Sequence, residues 1–481
     1  MSFIVNTKKG ITMPKFTAVL LLFISQCILA QDAFNIHALH VWTDTLIPYN
    51  YRESRFSEVW GVAYNNREYG IIGSTLGCHF IDVTDPDNVH ETDFVAAAVQ
   101  GYSANHRDYH DYNGYLYTTG DQDDFDTGEP CSLQIIGLHY LPDSVQLLYD
   151  SSELFKKSHN IFIDTASAIL YVCGATHADN TQSSLALYSL ENPVAPTLIS
   201  TFNDVGYIHD VYVRNDTAYC HQIYDNILYI INFSDPLNPA VIGSLNTYPD
   251  QEANHSGWLN NSGNYYVLID EAYGASLKVC DVSDLNDIQV LSTFSSGVSD
   301  LSIAHNVMIK DHYAYVSYYN DGLWVFDISD PYDPTVAGYY DTFPSDQEDD
   351  YRGAWGVYAY LPSGRVLISD RQSGLFLLDV SEAIGNNTST VYNPAWQNND
   401  TQTPLKVYPQ PFSNYINIAL PLATNIANIY LFDITGAKQT ILSSNCQTNN
   451  CRIQLPQQLP KGIYCLQVQT NTGTHSVKVC K

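Results

Sequence analysis

The sequence predicts an all-β fold, a β-propeller followed by a small β-sandwich. Tyrosine (37) far outnumbers methionine (3), and 27 glycines and 21 prolines favour strands and turns. A unit of short apolar strands recurs roughly every fifty residues along most of the chain. No repeat has a useful run of 3.6-residue apolar periodicity, so helical solenoids are excluded.

Each repeat begins with a strand at an equivalent position. These starts lie at Trp60, His110, His159, His209, His255, His305 and Trp355. Two further strands follow, as in YAYVSY and LWVFDISDP, then usually a weaker fourth. Asp330 and Pro331 show the turn chemistry, because aspartate bonds the turn amides and proline restricts φ. Four strands at this period predict seven propeller blades, or six if the irregular second repeat, Asp111 to Ser152, is degenerate.

The last repeat lacks a fourth strand and stops between Ser381 and Gly385. An unassigned strand, Ile36 to Thr45, lies before the first repeat. We expect this strand to complete the last blade and leave no open sheet edge in the ring.

Charge and the N-terminus limit the function. Acidic residues exceed basic ones by 51 to 21, so the surface repels nucleic acid and anionic lipid, although it attracts cations. Lysines and the apolar run AVLLLFISQCILA predict a signal peptide over residues 1–30. No later run reaches eighteen apolar residues, so no transmembrane segment is expected in the mature chain.

Three segments of residues 31–385 resemble the LVIVD-repeat proteins, and more closely the choice-of-anchor B family of secreted propellers. They are NHSGW…LIDE (from Asn254), AHNV…DISDP (from Ala304) and WGVYAYLPSGRVLISDRQSGLFLLDV (from Trp355). The resemblance implies a propeller at the cell surface and carries no settled biochemical activity.

A polar linker, residues 386–404, separates the repeats from a tail of alternating strands that predicts an Ig-like sandwich over residues 405–481. The motifs VYPQPF, DITG and GIY resemble the type A sorting domain of the Bacteroidetes type IX secretion system. This resemblance implies export by that machinery through residues 405–481. It also implies release from the cell or attachment to surface lipopolysaccharide.

Cysteines have two expected roles. In the tail, Cys446 with Cys451 and Cys465 with Cys480 are candidate disulfides. In the repeats, five single cysteines are expected to be small buried apolar residues. These are Cys78, Cys131, Cys173, Cys220 and Cys280.

The recurring residues at the strand starts predict a binding site at one mouth of the central channel. The expected arc comprises His110, His159, His209, His255 and His305, with Asp111, Asp210, Trp60 and Trp355. Imidazoles with carboxylates form a transition-metal ligand set, with or without hydrolytic chemistry. A repeated residue is also typical of a structural device, in which each imidazole bonds a neighbouring backbone.

The loop from Gly120 to Pro130 crowds several carboxylates, and Asp121, Asp123 and Asp126 are candidate calcium ligands. Its spacing does not match an EF-hand, so a solvated acidic loop is the alternative. No nucleophile motif stands out. The sequence therefore predicts a secreted or surface-held propeller that binds a protein, glycan or small ligand, the alternative being a secreted metal-dependent hydrolase.

Overall fold

The computed structural model describes residues 33–344, 351–385 and most of 406–481, with short gaps in the last range. The predicted signal peptide and linker lie outside the described residues. The chain divides into two compact units, residues 1–389 and 390–481. Within the described parts, no helix is long and apolar enough to cross a membrane.

The described part of the first unit is built mainly from antiparallel four-stranded sheets, most of them formed by strands that follow one another in the chain. Blade 1 contains β3 (Phe56–Tyr64), β4 (Arg67–Ser74), β5 (Gly77–Asp82) and β6 (His90–Ala96), and it follows β1 (Ala33–Phe34) and β2 (His37–Trp42). Blade 2 contains β7 (Asp108–Tyr112), β8 (Tyr115–Thr119), β9 (Leu133–Gly137) and β10 (Gln146–Ser151). Blade 3 contains β12 (Ile161–Asp164), β13 (Ile169–Cys173), β15 (Leu185–Ser189) and β16 (Thr197–Phe202), and β11 (Phe155–Lys157) pairs beside it with β14 (Thr176–His177).

The remaining blades repeat this order. Blade 4 contains β17 (Asp210–Arg214), β18 (Thr217–Gln222), β19 (Ile227–Asn232) and β20 (Ala240–Leu245). Blade 5 contains β21 (Asn254–Leu259), β22 (Tyr265–Asp270), β23 (Leu277–Asp281) and β24 (Gln289–Phe294). Blade 6 contains β25 (Ala304–Lys310), β26 (Tyr313–Tyr318), β27 (Gly322–Asp327) and β28 (Thr335–Tyr340). Blade 7 contains β29 (Ala354–Tyr358), β30 (Val366–Asp370) and β31 (Gly374–Asp379). Short 3₁₀ turns cover Pro86–Asn88 and Gly101–Ser103.

The N-terminal segment completes blade 7, as the sequence predicts. Strand β2 pairs with β31, with Val41 opposite Phe376, and supplies the missing fourth strand. Strand β1 adds to the outer edge of blade 6 through β28. The first strands of the seven blades that lie within residues 33–385 contact one another in a closed cycle, and β29 returns to β3. The described residues of this unit therefore form a closed β-propeller.

Apolar side chains between neighbouring blades form the core. Leu185 and Phe202 of blade 3 pack with Val211 and Cys220 of blade 4, for example. Five repeat cysteines are free and buried, as expected: Cys78, Cys131, Cys173, Cys220 and Cys280. The aspartate turns also form as predicted, because the Asp330 carboxylate accepts a hydrogen bond from the Tyr332 amide at 3.0 Å.

The second unit has two antiparallel sheets in its described part. One contains β32 (Lys406–Tyr408), β33 (Tyr415–Ala419), β36 (Ser443–Gln447) and β37 (Asn450–Gln454), and the other contains β34 (Ile426–Asp433), β35 (Lys438–Gln439), β38 (Ile463–Thr470) and β39 (Thr474–Cys480). Cys451 is disulfide-bonded, and the residue opposite it on β36 is Cys446. The side chains of Cys465 and Cys480 lie outside the described residues.

Candidate functional site: the histidine mouth of the channel

A ring of aromatic side chains lies where the innermost strands of blades 2 to 7 begin. We call it the mouth ring, and its members in order are His106, His159, His209, His255, His305 and Trp355. Successive ring centroids are 4.2, 4.0, 4.7, 4.6 and 4.7 Å apart from His106 to Trp355, and Trp355 returns to His106 at 5.7 Å. The ring follows from the repeat, because each member stands within two residues of the start of its strand.

The structure brings four of the five predicted histidines together with Trp355, but His110 lies elsewhere. The histidine of blade 2 in the mouth ring is His106. The first strands of blades 2 and 4 can be aligned at their ends, where the hairpin turn begins. Strand β7 ends at Tyr112 and β17 at Arg214, so His110 is equivalent to Tyr212, two residues before the end of each strand. Alignment on the repeated His-Asp pair selects His110 instead. The signal missed in the sequence is a second histidine four residues upstream.

His110 and Trp60 belong to a separate aromatic layer. Trp60 packs against His110 at 4.7 Å and Tyr358 at 5.1 Å, and Tyr212 packs against Trp258 at 4.7 Å. Trp60 lies four residues inside β3, whereas Trp355 is the second residue of β29, and for this reason the two tryptophans do not meet. Asp111 is also outside the mouth, since its carboxylate accepts a hydrogen bond from the Trp60 indole at 2.8 Å.

Asp210 lines a small internal chamber of about 60 Å³, together with Glu58, Asp108 and residues of the aromatic layer but no member of the mouth ring. Burial raises the pKa of Glu58 to about 8, with a further contribution from the charge of Asp210. Burial likewise raises the pKa of Asp210 to about 7 and that of Asp108 well above its usual range. Burial thus favours the protonated form of each of these carboxyls, which reduces the repulsion between them.

Two groups of side chains at the mouth have metal-ligand composition. The Asp121 cluster comprises His106, Asp121 and His159, and the Glu271 cluster comprises His255, Glu271 and His305. Within each, one ligand atom per residue lies within 4.8 Å of the others. The two carboxylates follow the second strands of blades 2 and 5, so the repeat places them at corresponding positions three blades apart.

The Asp121 cluster contains its own ion pair. His159 Nδ1 lies 2.6 Å from Asp121 Oδ2. Burial alone would raise the pKa of Asp121, but the imidazole of His159 outweighs it and lowers that pKa to about 2. Burial lowers the pKa of His106 to about 3, and among the described residues neither His106 Nδ1 nor Asp121 Oδ1 has a hydrogen-bond partner. The cluster therefore offers a neutral imidazole and a free carboxylate oxygen.

The Glu271 cluster is more open. His255 Nε2 lies 3.8 Å from Glu271 Oε2, and His305 Nε2 lies 4.0 Å from Glu271 Oε1. His305 Nδ1 lies 2.8 Å from the Trp355 carbonyl and must donate to it, so the lone pair of Nε2 faces the carboxylate. Burial lowers the pKa of His255 to about 3 and that of His305 well below its usual value. Two neutral imidazoles thus face one carboxylate at distances too long for hydrogen bonds.

Two neighbours complete this arrangement. The Tyr319 hydroxyl donates to Glu271 Oε1 at 2.5 Å and orients the carboxylate. His209 lies between the two clusters and is 8% exposed, and no other described residue forms a hydrogen bond with its Nε2. Tyr319 and Glu271 carry no repeated signal, so sequence reasoning alone did not assign their contact.

Asp270, next to Glu271, is structural. It forms an ion pair with Lys278 at 2.6 Å, and both side chains are fully buried. Its other oxygen accepts hydrogen bonds from the Glu252 and Ala253 amides at 3.0 Å. These contacts anchor the backbone that carries Glu271.

The predicted calcium ligands do not converge. Asp121 faces His159, Asp123 forms an ion pair with Lys157 at 2.5 Å, and Asp126 lies exposed in a turn. In the described residues, Asp123 and Asp126 belong to neither metal-compatible group. The loop instead closes on Asp124, whose carboxylate accepts hydrogen bonds from Asp126 and Thr127.

Comparison with known proteins adds two family matches. Residues 303–342 match the LVIVD repeat, and residues 406–481 match the secretion system C-terminal sorting domain. No curated protein matches the chain. The sorting domain indicates that the protein is secreted or held at the cell surface and interacts with the type IX secretion machinery.

Among solved structures, a Lactobacillus plantarum protein is 12% identical (TM-score 0.47), and the match covers 84% of this chain and 99% of that one. The periplasmic gluconolactonase of Pseudomonas aeruginosa is 10% identical (TM-score 0.49), with 69% and 94% covered. The propeller assignment rests on the sheet pairing described above.

Proposed function

We propose that this secreted chain, which carries an LVIVD repeat and a type IX sorting domain, is a binding propeller that holds a divalent transition-metal ion at its mouth. The observation that carries the proposal is the Glu271 cluster, where two neutral imidazole nitrogens face a carboxylate across 3.8 and 4.0 Å. Nitrogen with one carboxylate is a set that zinc and neighbouring metals favour over calcium. Attachment to surface lipopolysaccharide remains a prediction of the sequence.

The geometry of the cluster supports this assignment. Ligand atoms of a tetrahedral zinc ion lie about 3.3 Å apart when bonds are near 2.0 Å, so a small contraction of the cluster would accommodate the ion. The hydrogen bonds from His305 to the Trp355 carbonyl and from Tyr319 to Glu271 are the outer contacts that usually orient metal ligands. A purely structural ring would leave fewer imidazole nitrogens without partners.

The test is metal binding by the purified full-length protein after chelation. We expect one Zn²⁺ ion to bind tightly at the Glu271 cluster. When Co²⁺ replaces Zn²⁺, the protein should show the absorption spectrum of tetrahedral cobalt. His305→Ala and Glu271→Gln should each weaken this binding by about 100-fold or more. Glu271→Gln preserves the shape of the side chain and serves as the test if His305→Ala does not fold. His90→Ala, which removes an exposed histidine of β6, is the matched control.

Absence of a stoichiometric ion, or equal losses in His90→Ala and Glu271→Gln, would overturn the proposal.

Metal-dependent hydrolysis is a second candidate, favoured by the count of ligands. The Glu271 cluster supplies three ligand atoms, and a catalytic zinc site keeps a fourth position for water. Turnover of lactone or phosphoester substrates by the zinc-loaded protein, lost in Glu271→Gln, would support it. Zinc binding without turnover would contradict the hydrolase function and support the binding function.

A further inference from the structure

We infer that the metal-loaded mouth binds a small anion, a carboxylate or phosphate group, between the ion and the guanidinium of Arg371. This inference rests on the proposed metal function. It names the class of ligand that the mouth would take.

Arg371 is a buried cation at the mouth, only 2% exposed. Its guanidinium carbon lies 4.4 Å from the ring centre of Trp355, the member of the mouth ring beside His305. One terminal nitrogen donates to the Tyr351 carbonyl at 2.8 Å, and the other donates to Asn105 Oδ1 at 2.9 Å. Because Asn105 precedes His106, Arg371 lies beside the junction of Trp355 and His106, where the ring has its widest spacing.

Among the described residues, no carboxylate is directly bonded to Arg371, although a buried cation normally requires such a partner. Within the ranges that the structure describes, Arg371 forms no ion pair within 4.0 Å, and both acceptors of its side-chain hydrogen bonds, the Tyr351 carbonyl and Asn105 Oδ1, are neutral. Its Nε–H is buried and has no hydrogen-bond partner in the described part of the chain. A buried guanidinium is costly unless it is paired, and the edge that includes Nε is the one that binds carboxylate or phosphate with two parallel hydrogen bonds.

The charges around Arg371 point the same way. The Asp121 carboxylate is already paired with His159 at 2.6 Å. Glu271 offsets only one of the charges carried by a divalent ion and Arg371. Arg52, on the adjoining segment, lies over the Tyr51 ring at 5.4 Å and adds positive potential. A loaded mouth thus carries excess positive charge in a chain whose net charge is −30.

The site differs from a general anion-binding surface. Its Nε–H donor is buried, so only a small anionic group, and not a polyanion, would be able to reach it. The overall negative charge also repels nucleic acid and anionic membranes. Carboxylate and phosphate groups both accept two parallel hydrogen bonds from a guanidinium, so both fit this site. The experiment below distinguishes between them.

Calorimetric titration of the full-length protein with inorganic phosphate and, separately, with acetate is the test, carried out with and without bound zinc. We expect at least one anion to bind the zinc-loaded protein and to bind about tenfold more weakly without zinc, because a charge-assisted contact is lost. The anion that binds with the higher affinity shows whether the natural ligand carries a phosphate or a carboxylate group. Sodium chloride at equal ionic strength controls for screening.

Arg371→Met should weaken anion binding about tenfold or more while zinc binding persists. Arg371→Lys keeps the charge but lacks the fork, so an intermediate loss is expected, and this variant serves if the methionine variant does not fold. Arg214→Met is the matched control, since Arg214 also donates to a backbone carbonyl, that of Asn260 at 2.9 Å, but at the far end of β17.

The outcomes separate the two proposals. Zinc binding without anion binding, or equal anion affinity in Arg371→Lys and the parent protein, overturns this inference and leaves the metal function standing. Failure to bind zinc overturns both.

Discussion

The Asp121 and Glu271 clusters occupy corresponding positions in blades 2 and 5, yet they satisfy their carboxylates differently. Asp121 is held by His159 at 2.6 Å, and its neighbour Asp123 pairs with the partly exposed Lys157. Glu271 is held by the Tyr319 hydroxyl, faces two imidazoles without bonding either, and follows an aspartate that pairs with a fully buried lysine. The repeat thus places a carboxylate at the same position in both blades. The neighbouring side chains then decide whether that carboxylate is paired with an imidazole.

The two lysine pairs give the largest expected difference between these sides. Lys278→Met leaves Asp270 buried without its counter-ion and should cost about 3–5 kcal/mol of unfolding free energy. Lys157→Met removes a partly exposed pair of nearly the same length, 2.5 Å against 2.6 Å, and should cost less than about 1 kcal/mol. Denaturant titration measures both. Similar losses of unfolding free energy would mean that burial does not change how much each of the two ion pairs contributes to stability.

Glu58, in the internal chamber, is a third buried carboxyl, and no described cation pairs with it. The pKa of Glu58 is raised to about 8 by burial, from an ordinary value of 4.5. Unfolded Glu58 releases its proton above pH 4.5, whereas the folded protein retains it until about pH 8, so stability should fall as pH rises through this window. The loss approaches about 1.4 kcal/mol per pH unit for one proton.

Glu58→Gln isolates this effect, because Asp108 and Asp210 shift in the same direction and remain in both proteins. We expect the variant to lose part of the decline in stability between pH 5 and pH 8, as measured by denaturant titration at each pH. An unchanged pH dependence would show that Glu58 is ionised in the folded protein.

Metal affinity should separate the two clusters next. Glu271→Ala removes a ligand from the open cluster and should weaken zinc binding by about 100-fold or more, whereas Asp121→Ala should weaken it by less than about tenfold. Competition with a chromophoric chelator measures both constants. The reverse order would move the metal to the Asp121 cluster.

Tyr319→Phe should have a smaller effect on zinc affinity than Glu271→Ala. It removes the hydroxyl that donates to Glu271 but leaves every ligand in place, so zinc affinity should fall about tenfold. Tyr332→Phe, at an exposed tyrosine in the turn after β27, should leave affinity unchanged. A zinc affinity of Tyr319→Phe equal to that of the parent protein would remove the orienting role.

Local chemistry accounts for the part of the site that could be predicted. The recurrence of histidine placed His159, His209, His255 and His305 on equivalent strands, and propeller geometry brings equivalent positions into one ring. His110 was misplaced because blade 2 carries two histidines, and only the hairpin register distinguishes them. Asp121 was named for a calcium loop, but its contact with His159 joins two blades and has no local signature.

By itself, the sequence determined the repeat, the strand-and-turn chemistry, the closing role of the N-terminal strand and the secretion tail, because these depend on period, turn residues and short motifs. The tertiary structure alone decided which carboxylate faces which imidazole, how burial raises the pKa of Glu58 and why no described carboxylate pairs with Arg371. These properties depend on burial and on distances between blades far apart in the chain. Local sequence patterns do not specify them.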